Sequence, residues 1–93
     1  MTRYALRVDA NQDQIISALK AAGATVKVIG KPLDLLVGCG TSKQRLMLVE
    51  CKVPGGKHTA AQVRFMKEWE GYPISTVDGP EAALRALNVL RAS

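Results

Sequence analysis

The chain has 93 residues, enough for one hydrophobic core and too few for two, so residues 1–93 read as a single domain. Its 47% apolar and 23% charged residues exclude a wholly disordered or collagen-like chain. Thirteen Lys and Arg against eight Asp and Glu give a net charge of +5, which favours polyanionic partners, nucleic acid first among them, and disfavours cationic substrates.

Aromatic residues are only 4% of the chain, so the core must come from Val, Ile, Leu and Ala. Cys39 and Cys51 are too few for a disulfide scaffold, and with His58 they fall one ligand short of a structural zinc set. A reducing compartment follows. The opening MTRYALRVDA is too polar for a secretory signal, and no apolar run approaches the roughly 20 residues that span a bilayer. The expectation is a cytoplasmic protein without a membrane segment.

In chain order, Asn11 begins a stretch with Ile15, Ile16, Leu19 and Ala22 at helical steps, closed by Gly23. Thr25 to Ile29 alternates with β-branched residues and is broken by Gly30, Lys31 and Pro32, which reads as a strand and turn. Leu33 to Val37 and Leu46 to Cys51 then read as two antiparallel strands joined by a long polar loop, Gly38 to Arg45. After the basic loop Val53 to Lys57, Thr59 can cap a second helix carrying Val63, Met66 and Trp69 and ending before Gly71. Ile74 to Val77 is a short strand, Asp78-Gly79-Pro80 a turn, and Glu81 to Arg91 a final helix with Ala83, Leu84, Leu87 and Leu90 on one face. The order is αβββαβα, an α/β fold with every element packed on one sheet.

The chemistry concentrates in the middle strands. Facing residues of an antiparallel pair have a constant sum, and a hairpin centred near Ser42 makes it about 84, which sets Asp34 opposite Glu50. Side chains alternate along a strand, so Glu50 and Lys52 share a face while Cys51 takes the other. The surrounding LDLLVG and LMLVECK are so apolar that both strands are expected to be buried on both faces. A local carboxylate–lysine ion pair is the structural explanation for such a cluster. Two acids against one lysine nevertheless leave a negative surplus that suits a hard divalent cation, Mg²⁺ or Mn²⁺. Such an ion activates water and offsets leaving-group charge, which is the chemistry of phosphodiester hydrolysis.

Pro32-Leu33-Asp34 and Glu50-Cys51-Lys52, set as D-x(15)-E-x-K on a strand pair within this element order, resemble the signature of the PD-(D/E)XK nuclease superfamily. More narrowly, VDANQDQIISALKAAG, PLDLLVG, LMLVECK, HTAAQ and WEGYPISTVDGPEAALRAL together resemble the small stand-alone VRR-NUC (virus-type replication-repair nuclease) proteins. The resemblance spans nearly the whole chain, with Leu33 intervening between the proline and the acid. It implies a restriction-endonuclease-like fold, an αβββαβ core with a mixed sheet flanked by helices plus a C-terminal helix. It also implies metal-dependent cleavage of DNA, often branched or four-way-junction DNA, in a bacterial or phage-infected cell. Asp34 and Glu50 then hold the metal, with Cys51 between the strand's two charged groups counted among the metal-binding positions, and Lys52 is the catalytic partner.

Gln62 matches the glutamine of the family's T-x-x-Q stretch and is expected to reach the site, with a surface glutamine as the plain alternative. Gln12 stands where some relatives place an acid in the first helix and is a candidate to line the site; Asp13 is expected in solvent. Lys57, His58, Arg64 and Lys67 are candidate DNA contacts. Met66 and Trp69 are expected in the core or at a dimer contact. Symmetric cutting of two strands calls for two active sites, hence a homodimer. The alternatives are a non-catalytic DNA-binding module on the same fold and a protein adaptor whose basic charge is incidental.

Overall fold

The computed structural model describes the backbone from residue 2 onward and the side chains from Asn11 onward. Its elements are α1 (Thr2–Ala21), β1 (Thr25–Val28), β2 (Leu35–Cys39), β3 (Arg45–Cys51), α2 (Ala60–Glu68), β4 (Ile74–Val77) and α3 (Pro80–Ala92). The order is the expected one. The four strands form one mixed sheet, β1-β2-β3-β4. The first three strands are antiparallel, and β4 runs parallel to β3 after crossing over through α2.

The β2–β3 register is the one the hairpin arithmetic requires: Leu35 faces Val49 and Val37 faces Met47. Parity then decides the core. Leu35, Val37, Cys39, Met47, Val49, Cys51 and Val77 turn to one face and join Ile15 and Leu19 of α1 and Ala83, Leu87 and Leu90 of α3. Each fully buried Leu, Ile or Val contributes on the order of 1.5–3 kcal/mol. Helices α1 and α3 also touch one another, and the Arg91 guanidinium donates to the Ala22 carbonyl just past the end of α1.

Four features differ from the sequence reading. α1 starts at Thr2 rather than Asn11; residues 2–10 contain neither Gly nor Pro, so nothing breaks the helix. The β2–β3 loop is shorter than Gly38 to Arg45, because Gly38, Cys39 and Arg45 are paired in the ladder. Gly40 turns this loop at a φ of +102°, and a side chain there would collide with the Lys43 carbonyl. Asp34 lies just before β2 rather than inside it. Finally, β2 alternates buried and half-buried residues, so the strands are not buried on both faces. Helix α2 has no buried residue, and Leu46 on the open face is 61% exposed. Among the described residues no helix is long and apolar enough to cross a membrane.

Candidate active site

The site forms where β2 begins and β3 ends. Asp34 closes the β1–β2 turn with its carbonyl, which accepts from the Ile29 amide at 2.8 Å and the Gly30 amide at 3.1 Å. Its carboxylate Oδ2 accepts from the Cys51 amide at 2.8 Å. A side chain thus supplies the β3 rung that a longer β2 would have made from backbone, and Asp34 is fixed beside the end of β3. Leu33, intervening after Pro32, is completely buried and anchors the turn from the other side.

Glu50 projects to the open face, yet it is only 3% exposed. Its Oε2 accepts from Gln62 Nε2 at 2.8 Å and pairs with Lys52 Nζ at 3.3 Å. Its Oε1 is buried and has no hydrogen-bond partner. An unsatisfied buried acceptor costs about 1–3 kcal/mol, more when charged, so this oxygen is a reason to look for a ligand. Lys52 is held by its backbone: the amide donates to the Val77 carbonyl at 2.9 Å and the carbonyl accepts from Asn11 Nδ2 of α1 at 3.3 Å. Asn11, Asp34, Glu50, Lys52, Gly56 and Lys57 are among the residues lining a cleft of about 310 Å³. A second cleft of about 590 Å³ opens between Gly30-Lys31-Pro32 and the start of α2 at Thr59, Ala61 and Gln62.

Gln62 has two roles, of which the sequence reading named only the contact to the site. Thr59 accepts from the Gln62 amide at 3.1 Å and Gln62 Oε1 accepts from the Thr59 amide at 3.0 Å, a complete capping box. The same side chain then donates to Glu50. The cap therefore fixes the rotamer that serves the carboxylate.

The remaining candidates scatter. Lys57 lines the smaller cleft, whereas Arg64 and Lys67 are exposed on α2. His58 Nε2 lies 2.8 Å from Thr76 Oγ1, and Thr76 stands beside Glu50 in the parallel ladder. Gln12 does not line the cleft; Asn11 does, because one residue along a helix turns the side chain by roughly 100°. Asp13 is exposed as expected. Trp69 is not in the core: it is 45% exposed and stacks on Phe65 with centroids 5.7 Å apart. Cys51 turns its thiol to the core, where burial first, then the charges of Asp34 and Glu50, push its pKa up to about 12. With the thiol packed in the core, the group Cys51 has to offer a hard cation is its main-chain carbonyl. The sequence reading missed Asn11 and Thr76; the parallel register that brings Thr76 alongside Glu50 has no local signal.

Among the described residues no three His, Cys, Asp or Glu side chains gather as a metal-holding group. A cation at this site would therefore rest on two carboxylates, with carbonyl, water and substrate oxygens completing its shell. Hard oxygen donors and one unpartnered, buried carboxylate oxygen suit Mg²⁺ or Mn²⁺. The chain matches no protein-family model, no curated protein and no solved structure.

Proposed function

We propose that this protein is a Mg²⁺- or Mn²⁺-dependent DNA endonuclease of PD-(D/E)XK type, similar to the stand-alone VRR-NUC proteins and built on a restriction-endonuclease-like fold. The observation that carries the reading is Glu50, a carboxylate 3% exposed with one oxygen unpartnered, beside Asp34 and Lys52. Purely structural ion pairs are completed by hydrogen bonds on both oxygens; this one is left incomplete. A non-catalytic DNA-binding module gives no reason for that omission.

In this reading Asp34 and Glu50 hold the cation, and the Cys51 carbonyl is the third protein oxygen available to it. The bound ion supplies charge neutralisation and a lowered pKa for a coordinated water. Gln62 keeps Glu50 oriented through the capping box. Lys52 donates to the phosphate as negative charge builds on its oxygens. Lys57 meets the phosphate backbone from the cleft rim, and Arg64 and Lys67 add long-range attraction to DNA. His58, tied to Thr76, is a further phosphate donor at the open end of the row. A homodimer would carry two such centres, one for each strand of a branched or four-way substrate, inside the cell.

The test is incubation of the purified protein with Mg²⁺ or Mn²⁺ and linear, flapped and four-way DNA beside the Glu50→Gln variant. Cleavage is expected in wild type, with the branched substrates preferred, and the variant is expected to lose at least ~100-fold, the scale of removing one charge-stabilising group. Undiminished cleavage by Glu50→Gln would refute the assignment.

A further inference from the structure

We infer that Lys52 is a placeholder cation: its ammonium neutralises Glu50 until a divalent ion loads, and the charge of that ion then displaces it from Glu50 Oε2 toward the substrate phosphate. The inference rests on the nuclease reading above and concerns how that same centre is switched between an ion-free and a loaded state.

Four observations carry it. Glu50 is almost fully buried, so its charge needs a nearby cation at all times. Among the described residues Lys52 alone makes an ion pair with it, at 3.3 Å. The backbone of Lys52 is pinned on both sides, by Val77 through the amide and by Asn11 through the carbonyl, so any change of partner must come from rotation of the side chain. That side chain reaches solvent. It is 19% exposed, and the wall along its stem is Gly56, where a Cβ would stand 3.5 Å from Lys52 Cβ and 3.6 Å from Cδ.

A divalent ion and an ammonium on one carboxylate repel each other strongly at this range. Gln62 carries no charge and can keep its bond to Oε2 throughout. Loading therefore exchanges one cation for another on Glu50 while the neutral donor stays in place. Exchange makes the two events reciprocal: whatever removes the ammonium strengthens metal binding, and metal binding frees Lys52. The lysine is then released toward phosphate only in molecules that already hold the ion.

Calorimetric titration with Mn²⁺, without DNA, tests this. Lys52→Met, which keeps the stem and removes the charge, is expected to bind Mn²⁺ about tenfold or more tighter than wild type, the affinity equivalent of one charge-assisted hydrogen bond, while Glu50→Gln binds far more weakly than either. Equal or weaker binding by Lys52→Met, with wild type binding and Glu50→Gln not, overturns the placeholder role and leaves the nuclease reading standing. Absence of Mn²⁺ binding by wild type and Lys52→Met alike overturns both. A second measurement needs no variant: in wild-type protein with isotope-labelled lysine, aspartate and glutamate, addition of Mg²⁺ is expected to move the Lys52 ε-methylene resonance toward that of a free lysine. An unmoved Lys52 resonance beside shifted Asp34 and Glu50 carboxyl resonances also overturns the inference.

Discussion

Cys51 stands at the junction of core and site, and its two ends are used differently. The amide N–H holds the Asp34 carboxylate, while the thiol packs in the core with its pKa pushed up from 9.0 to about 12, by burial first and then by the charges of Asp34 and Glu50. A folded-state pKa above the unfolded one means that folding favours the protonated thiol. Its contribution to stability is complete below pH 9 and is lost as the pH rises from 9 towards 12. Over that window the unfolding free energy of wild type should fall more steeply than that of Cys51→Ala; parallel curves would contradict this account. At this scale the trio Asp34, Glu50 and Lys52 was legible because parity and hairpin arithmetic are properties of the chain itself. Asn11 and Thr76 were not, because a helix's rotation against the sheet and the register of a parallel crossover are fixed by packing between distant segments.

Among the elements, α2 is the most conditional. It has nine residues and none is buried, and a helix of that length is marginal in water without outside support. Its support comes from the Thr59–Gln62 capping box and the Gln62–Glu50 hydrogen bond. Thr59→Ala removes one cap acceptor and should cost about 1 kcal/mol. Gln62→Ala removes the other half of the box and also strips a donor from a buried carboxylate, so it should cost roughly 2–3 kcal/mol and lower the hydrogen-exchange protection of the α2 amides. Chemical denaturation of the two variants checks the difference, and equal losses would contradict the coupling of cap to site. α3 begins at Pro80, one residue ahead of the expected Glu81, and the start of α2, marked by Thr59, could be read directly. The start of α1 could not, since the residues ahead of Asn11 carry no marker of a boundary.

For the molecule as a whole, the order of elements and the pattern of apolar residues were enough to give an α/β domain on one sheet. They did not reveal that α1 and α3 share one face and leave the other open. The runs around Leu35 and Leu48 are apolar enough for burial on both sides, but the helix available for the second face is short and lies off it. That openness shapes the site: Asp34, Glu50 and Lys52 stand at the end of a sheet face that a long substrate can approach, with the clefts beside Lys31 and Lys57 on its flanks. The net charge of +5 favours the approach of a polyanion such as the proposed DNA substrate, without reading its sequence. Under the proposed function the carboxylates would put that attraction to chemical use when a cation binds there.

Whether a cation does so is decided most directly by anomalous diffraction from crystals soaked in Mn²⁺. The account predicts one strong peak within about 2.0–2.3 Å of carboxylate oxygens of both Asp34 and Glu50. A peak elsewhere, or none at a concentration of Mn²⁺ that supports cleavage, would contradict it.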